Sequence, residues 1–227
     1  MKKSKKEIKL IKKAASIANS CINFIEKVLE SRKIRENELA LILEKKIKSL
    51  GGKPAFKTLV ASGKRAYKIH AKPSSKYIKG LGYIDFGVDY KGYKVDVTVP
   101  FIKSKIGKEE EKIVKTLIEA YELAKKETKV GINCFSVFEK VDKFLRKKGY
   151  KMKHSLGHGI GKKVHELPII GIPKGKKKEI KFENGMVFTL EPGIYVRNVG
   201  GCRIENTFLL YNNNLIELTK ARLFVVE

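Results

Sequence analysis

The chain has 227 residues, of which 42% are hydrophobic, so it can bury a core in one large domain or two small ones. No apolar run approaches the roughly 18 residues that a membrane span needs, and no apolar segment with a cleavage site follows the lysine-rich N-terminus. The sequence therefore predicts neither a transmembrane helix nor a signal peptide. Its three well-separated cysteines, Cys21, Cys134 and Cys202, are typical of reduced thiols in a cytoplasmic protein.

The formal net charge is +26, because 50 basic residues face 24 acidic ones. Ion-pair networks cannot account for this excess, since 26 bases would remain after every acid had found a partner. Two interpretations stay open. The lysines, which are spread along the chain, could form an ordinary solvated surface, or they could attract nucleic acid or another polyanion.

The first elements along the chain are two helices followed by strands. Residues 4–30 are predicted to form an amphipathic helix, because apolar residues recur at steps of three or four, and Ser4 with Glu7 matches a capping box. A second helix is predicted over 36–50, ending at the glycine pair 51–52. Strands are predicted near 56–62, 82–88 and 93–100.

The same pattern recurs in the second half. Helices are predicted over 109–127 and 133–148, and strands near 152–160, 186–195 and 202–210. The basic stretch from Lys174 to Lys181 is predicted to be a surface loop. The sequence thus indicates a single α+β domain over 1–227, with antiparallel strands and two similar halves at about 4–105 and 106–215.

Two aspartates flank a predicted turn in the first half. A hairpin centred between Tyr90 and Lys91 would place Asp85 directly opposite Asp96 on one face, with Cβ atoms roughly 5 Å apart. Facing carboxylates destabilise a sheet unless a cation lies between them. The prediction depends on the register, because a slip of one residue reverses the faces.

The second half repeats this arrangement. A hairpin centred on Asn198 would place Glu191 opposite Glu205. Four converging carboxylates would carry about four negative charges, which is prohibitive in a buried site unless cations such as two divalent metal ions neutralise them. Oxygen-rich ligands with one imidazole suit Mn, Co, Fe or Zn. The alternative is that these acids are ordinary surface residues on strands.

Three of the four histidines, His154, His158 and His165, fall within twelve residues. Glycines at the alternate positions 157, 159 and 161 disfavour a helix and permit an extended strand that closely approaches its neighbours. On such a strand residues 154 and 158 share a face. A single histidine is more often structural than catalytic, but a dense cluster in a histidine-poor chain favours a functional site, with His158 as the natural nitrogen ligand.

These residues resemble the pita-bread metallopeptidase family, which includes methionine aminopeptidase, Xaa-Pro aminopeptidase and prolidase. The resemblance runs from the first helix to about residue 210. Its motifs are I-D-F-G at 84–87, K-V-D-V-T at 94–98, H-S-L-G-H-G-I-G at 154–161, V-H-E-L-P at 164–168, E-P-G-I-Y at 191–195 and R-I-E-N at 203–206. It implies the pita-bread α+β fold, with antiparallel sheet covered by helices and two pseudo-symmetric halves. It also implies five metal ligands: Asp85, Asp96, His158, Glu191 and Glu205.

Several features resemble the Xaa-Pro branch and not methionine aminopeptidase. They are His154, four residues before His158; Arg203, two before Glu205; and Tyr195 in the E-P-G-I-Y run. His70 resembles that branch's histidine upstream of the first aspartate. Other interpretations stay open: His70 and His154 as loop or core-edge residues, and Arg203 as the partner of a glutamate.

The sequence also departs from that branch. Asn206 stands where the branch usually has aspartate, and Val99 where arginine is common. The chain begins almost at the catalytic domain, whereas the branch usually carries a separate N-terminal domain. These departures affect the expected substrate preference and oligomeric state, for which monomer and homodimer both remain open.

The resemblance implies a mechanism with two divalent metal ions, Mn or Co before Zn or Fe, bridged by Asp96 and Glu205. A hydroxide held between the ions would attack the first peptide carbonyl, and the substrate's α-amine would bind near Asp85. The implied catalytic residues are Glu191, which would transfer the proton, His165 and His70. The implied substrate-binding residues are His70, His154, His165, Tyr195 and Arg203.

The expected activity is therefore metal-dependent hydrolysis of the first peptide bond of peptides, most often an Xaa-Pro bond. Two alternatives remain: a methionine aminopeptidase that removes initiator Met, and a non-catalytic homologue that binds RNA or ribosomes. The expected location is cytoplasmic, and no membrane partner is expected.

Overall fold

Four α-helices form where the apolar periodicity predicts them. The computed structural model describes residues 1–171 and 180–226, and within them α1 covers Lys5–Ser31, α2 Glu36–Ser49, α3 Lys108–Glu127 and α4 Cys134–Lys147. The predicted capping box is present at the start of α1, because Ser4 Oγ accepts from the Glu7 amide and the Glu7 carboxylate accepts from the Ser4 amide. A short 3-10 helix covers Gly63–Tyr67.

The first sheet is built around one long hairpin. β3 (Gly80–Tyr90) pairs antiparallel with β4 (Tyr93–Lys103), and the opposite edge of β3 carries β1 (Lys53–Pro54) and β2 (Leu59–Ser62). The outer edge of β4 is covered by β12 (Phe224–Val226), which runs parallel to it. The first sheet therefore contains both the first and the last of the described strands, β1 and β12.

The second sheet and a separate hairpin come from the second half. The sheet has the order β11 (Asn214–Glu217), β10 (Asn206–Tyr211), β7 (Val187–Leu190), β5 (Gly157–Gly159) and β6 (Glu166–Ile170). β8 (Gly193–Val196) and β9 (Gly200–Arg203) form the hairpin. The predicted strand over 152–160 is thus shorter than expected. The predicted strands over 186–195 and 202–210 are each interrupted at a glutamate, Glu191 in the first and Glu205 in the second.

Each half packs its own helices on its own sheet. α1 packs on β3 and β4, and the core there includes the fully buried Ile25, Phe86 and Phe101. α3 and α4 pack together in a second core that includes Phe188 and Phe208. Burial of these large apolar side chains is the main stabilising contribution, at roughly 1.5–3 kcal/mol each.

A backbone bridge at the centre of the molecule is among the hydrogen bonds that join the two halves. The Thr98 amide on β4 donates to the Glu205 carbonyl at 3.2 Å, and the Glu205 amide donates back to the Thr98 carbonyl at 3.0 Å. This bridge brings the middle of the first hairpin beside the interruption between β9 and β10.

Three other sequence predictions concern membrane spans, the cysteines and the basic loop. No described helix is both long and apolar enough to cross a bilayer. Cys21, Cys134 and Cys202 are all buried and unpaired. Most of the predicted loop from Lys174 to Lys181 lies outside the described residues, which omit 172–179.

Candidate metal centre

The first hairpin places its two aspartates on one face, but not directly opposite each other. Lys91 and Gly92 have φ angles of 51° and 85° and form the two-residue turn, one residue further along than predicted. Asp85 therefore pairs with Thr98, and Asp96 pairs with Gly87. The predicted direct opposition was wrong by two residues, and because sidedness repeats every two residues, both carboxylates still lie on the same face.

The second hairpin has the predicted register. β7 pairs with β10 and β8 pairs with β9 in one common register, and Glu191 and Glu205 lie opposite each other in the gap between the two ladders. Neither glutamate amide is left without a partner. The Glu191 amide donates to the Leu156 carbonyl at 2.7 Å, and the Glu205 amide bonds across to Thr98. The interruption thus turns both glutamates toward the first hairpin.

His158 lies at the middle of β5, where the chain approaches its neighbours very closely. A Cβ atom on Gly157 would overlap the Thr189 carbonyl oxygen, and one on Gly159 would overlap the Leu167 carbonyl oxygen. The His158 amide donates to Thr189 Oγ1 at 3.2 Å, which fixes the backbone at this position. His154 lies outside the strand, so the expectation that it shares a strand face with His158 was wrong.

The His158 imidazole is directed at the carboxylates. Its Nδ1 lies 3.1 Å from the Gly159 carbonyl oxygen, and its Nε2 lies 3.6 Å from Glu191 Oε1 and 3.8 Å from Asp96 Oδ2. Burial lowers the pKa of His158 to about 4, so the ring is neutral near pH 7. A neutral imidazole held through Nδ1 leaves Nε2 available as a ligand.

The carboxylates satisfy the requirements of a cation site. Asp96, His158 and Glu205 each offer one ligand atom, and these atoms lie within 4.8 Å of one another. One buried oxygen on each of Asp85, Asp96 and Glu205 has no hydrogen-bond partner among the described residues. Buried acceptors without donors are costly, and a divalent cation would supply the missing partner.

The pKa values show the same need for positive charge. Burial, and then repulsion from Glu205, raises the pKa of Asp96 and that of Glu191 well above their usual ranges. Burial and the Asp85 charge raise the pKa of Glu205 to about 7. The residues present therefore fit a divalent metal, because a bound cation would stabilise the charged form of every one of these groups.

Arg203 holds the edge of the centre together. Its side chain is 3% exposed and forms an ion pair with Asp85. Its Nε donates to Thr98 Oγ1 at 3.1 Å, and its Nη1 donates to the Tyr195 hydroxyl at 2.7 Å. Arg203 therefore neutralises an aspartate, and not a glutamate as the alternative interpretation held.

The site opens into a cavity of about 630 Å³. All four histidines line this cavity, as do the four carboxylates and Arg203, so nine of the ten predicted site residues meet there. The exception is Tyr195, which is buried behind His154, with its hydroxyl 3.0 Å from His154 Nε2. The ring centres of His158 and His165 lie 4.4 Å apart, and the apolar side chains on the cavity wall are Phe56, Leu59, Ile69, Val164 and Ile169.

Three threonines that the sequence analysis did not single out support this centre. Thr98 Oγ1 donates to Glu205 Oε2 at 2.7 Å, and Thr207 Oγ1 donates to the Asp96 carbonyl at 2.8 Å. Thr189 Oγ1 accepts from the His158 amide. Each threonine stands two residues along the chain from one candidate ligand and supports a different one. That spacing is the signal that could have identified them.

Comparison with known proteins places this geometry in a family. The sequence model of metallopeptidase family M24 matches residues 9–212. The Xaa-Pro dipeptidase of Pyrococcus horikoshii is 37% identical over 225 residues, which cover 96% of this chain and 62% of the relative. An uncharacterized peptidase of Methanocaldococcus jannaschii is also 37% identical over 225 residues, covering 98% of this chain and 65% of the relative. The chain thus spans less than two thirds of the length of these relatives.

Solved structures share the fold. The crystal structure of a dipeptidase from Pyrococcus horikoshii superposes with a TM-score of 0.91 and 35% identity, covering 100% of this chain and 64% of that one. A methionine aminopeptidase from Thermotoga maritima superposes with a TM-score of 0.84 and covers 97% of this chain and 99% of its own, but at 24% identity it shows the fold alone. The predicted pita-bread α+β fold is confirmed by these likenesses.

Proposed function

The chain belongs to metallopeptidase family M24, and from that premise we propose that it is a metal-dependent exopeptidase that hydrolyses the first peptide bond of peptides, preferentially Xaa-Pro bonds. One observation carries the proposal: Asp96, His158 and Glu205 converge within 4.8 Å, and a buried oxygen on each of the two carboxylates has no partner in the described part of the chain. The preference for Xaa-Pro is supported by the relative from Pyrococcus horikoshii, which is an Xaa-Pro dipeptidase.

The groups that would hold the metal are four carboxylates and one imidazole. Two divalent cations would balance the charge of the set Asp85, Asp96, Glu191 and Glu205, with His158 as the nitrogen ligand. When bound, such cations polarise a substrate carbonyl and make a bound water more acidic. Ligands of this kind suit Mn or Co, with Zn or Fe as alternatives.

Glu191 is the residue we assign to proton transfer. Its side chain is 16% exposed, lines the cavity and has Oε2 3.8 Å from His154 Nδ1. Burial and the Glu205 charge raise the pKa of this carboxyl above its usual range, which favours proton uptake. It can therefore accept a proton from a nucleophile and pass it to the leaving nitrogen.

The histidines and the apolar wall would position the substrate. Burial lowers the pKa of His154 to about 4, so it offers a neutral ring to a substrate amide. His165 lies beside His158 and would hydrogen-bond the reacting carbonyl, while the exposed His70 would contact the residue after the cleaved bond. The apolar side chains on the wall suit a pyrrolidine ring.

Arg203 and Tyr195 would act from behind these groups. The Arg203 guanidinium is already engaged with Asp85, Thr98 and Tyr195. The Tyr195 hydroxyl lies between Arg203 Nη1 and His154 Nε2. We therefore assign to this pair the orientation of Asp85 and His154 toward the substrate.

The test is an assay of three peptides with protein loaded with Mn, Co or Zn. Release of Ala from Ala-Pro supports the proposal, and release from Ala-Pro-Ala as well indicates action on longer peptides. Cleavage of Met-Ala-Ser alone would replace the proposal with a methionine aminopeptidase. Inactivity on all three, together with salt-sensitive binding of RNA, would replace it with a binding protein.

A matched pair of variants ties the activity to this site. Glu191→Gln keeps the size of the side chain and should lower kcat by about 10²- to 10⁴-fold. Glu183→Gln makes the same change at a surface ion pair with Lys2 and should leave kcat unchanged. Near-normal kcat in Glu191→Gln would contradict the assignment of proton transfer.

A further inference from the structure

Glu36 is a buried carboxylate that lies outside the metal centre. It is the first residue of α2, and its side chain is 0% exposed. Its Oε1 accepts from the Ser62 amide at 2.9 Å and from Ser62 Oγ at 3.0 Å. Its Oε2 accepts from Arg65 Nη1 at 3.1 Å, the Ser74 amide at 3.0 Å and Ser74 Oγ at 2.6 Å. A helix-terminal carboxylate with five donors is a fixed connector, because every bond is charge-assisted.

These bonds close a loop, which we call the His70 segment, residues 62–74. Glu36 holds its first residue, Ser62, and its last, Ser74, so the two ends meet at one carboxylate. Arg65 adds a second connection within the segment, since its Nη2 donates to the Lys72 carbonyl at 2.8 Å. Glu36 therefore sets the distance between the two ends of the segment.

The middle of the His70 segment carries His70 to the cavity. The Tyr83 hydroxyl on β3 lies 3.0 Å from the Ile69 carbonyl oxygen and accepts from the Ala71 amide at 3.3 Å. Arg203 Nη1 also donates to the Ile69 carbonyl at 3.3 Å. Both neighbours of His70 are thus bonded to the framework of the metal centre, while the ends of the segment are bonded to α2.

We propose that Glu36 is a positioning residue for His70, acting through the His70 segment from the helix α2 to the substrate side of the cavity. The proposal rests on the substrate role proposed for His70. It assigns to the N-terminus of α2 a part in substrate recognition that neither the ligand motifs nor the cavity lining indicates.

The substitution Glu36→Gln tests this with little change of shape. Each carboxylate oxygen accepts from a backbone N–H, one from Ser62 and the other from Ser74. In either orientation, the NH₂ group of a glutamine would therefore face one of these N–H donors. Leaving a buried donor unpaired is costly, and one end of the segment is released. The matched control is Glu38→Gln on the same turn of α2, whose carboxylate is exposed and bonds only to Arg35 among the described residues.

The first measurement reports on His70 without requiring activity. The chain has four histidines, so the ring ¹H–¹³C correlations of the zinc-loaded protein are few, and His70→Ala identifies the His70 signal. Glu36→Gln should shift or broaden that signal and leave the signal of His158 in place, whereas Glu38→Gln should move neither. An unchanged His70 signal in folded Glu36→Gln would overturn the proposal.

The second measurement is a double-mutant cycle on Ala-Pro hydrolysis. Glu36→Gln should lower kcat/KM by about 10- to 100-fold, as expected for a displaced positioning group. In the His70→Ala background the same change should lower it by less than about 2-fold, because the two residues act as a unit. Fully additive losses would contradict the proposal and indicate general destabilisation.

Two further outcomes remain decisive. If Glu36→Gln does not fold, Ser74→Ala, which removes a single bond to Glu36, should shift the His70 signal in the same direction, and no shift would refute the proposal. If His70→Ala leaves activity unchanged, the substrate role of His70 fails, while the His70 signal still decides whether Glu36 positions that ring.

Discussion

At the residue scale, the threonines show how few polar groups hold the candidate centre in place. Thr98 uses one hydroxyl twice: it accepts from Arg203 Nε and donates to Glu205 Oε2. The hydroxyl therefore connects the arginine that pairs with Asp85 to a glutamate from the other half of the chain. Loss of a group that orients a ligand in this way typically lowers metal affinity by about 10- to 100-fold.

Thr98→Val removes this connection while keeping the shape of the side chain. We expect metal affinity to fall by about 10- to 100-fold, because Glu205 loses one of its donors and Arg203 loses an acceptor. Isothermal titration of the metal-free protein with Mn or Zn measures the change. Thr116→Val is the matched control, since Thr116 is a buried threonine on α3. Unchanged affinity in Thr98→Val would show that the orientation of Glu205 does not depend on the Thr98 hydroxyl.

At the element scale, the short strand β5 depends on the absence of side chains on both sides of His158. The Gly157 and Gly159 positions face the backbone carbonyls of Thr189 and Leu167 at distances that no Cβ atom tolerates. β5 can therefore lie between β6 and β7 only with glycine at positions 157 and 159. The close approach is what carries the His158 ring to the carboxylates.

Gly157→Ala should separate β5 from β7 and displace His158. We expect a loss of about 1–3 kcal/mol or more in the free energy of unfolding, together with weaker metal binding. Urea unfolding with and without metal measures both. Gly107→Ala is a suitable control, because a Cβ there meets only the flexible Glu110 carboxylate, at 3.7 Å. Equal losses in both variants would contradict the packing argument.

The elements also show which parts of the fold a sequence can predict. Helices α1 to α4 are evident from local periodicity, since each buries one apolar face. Strands β1, β6, β11 and β12 were not predicted, because each has only two to five residues and so carries little local pattern. The turn of the first hairpin was misplaced because Lys91 adopts a positive φ there, a conformation that is uncommon for lysine.

For the candidate site, the sequence predicted which residues take part but not the contacts among them. Motif order identified the residues that the structure gathers in one cavity. The burial of Tyr195 behind His154, the engagement of Arg203 with Asp85 and the threonine supports depend on contacts between the two halves. Local sequence patterns do not predict contacts between residues so far apart along the chain.

At the scale of the whole molecule, the metal-free protein carries an electrostatic cost that depends on pH. Burial raises the pKa of Glu205 to about 7 and raises those of Asp96 and Glu191 well above their usual ranges. A group with a raised carboxyl pKa binds more protons when folded, so its contribution to stability is lost as pH rises through the folded pKa. His154 and His158, with pKa values lowered to about 4, act oppositely, but only below their unfolded value near 6.5.

We therefore expect the melting temperature of the EDTA-treated protein to fall as pH rises from 6.5 to 8. Each kcal/mol lost from the free energy of unfolding should lower the melting temperature by about 2–4 °C. Saturation with Mn or Zn should flatten this dependence, because the cation binds only the folded, deprotonated site. Thermal scans at four pH values test this, with metal-free Glu205→Gln as the control, which should have a smaller slope. A flat profile without metal would contradict the burial of the carboxylates.

The position of β12 has a consequence for how the chain is made. β4 is complete at Lys103, yet part of its outer edge is covered only when Phe224–Val226 arrive. At about 5–20 residues per second, a ribosome leaves that edge open for seconds while the second half is being synthesised. An unpaired strand edge can recruit a neighbouring nascent chain. Newly made polypeptide is therefore most exposed to aggregation on its first half, and the pairing of Phe224–Val226 with β4 ends that interval.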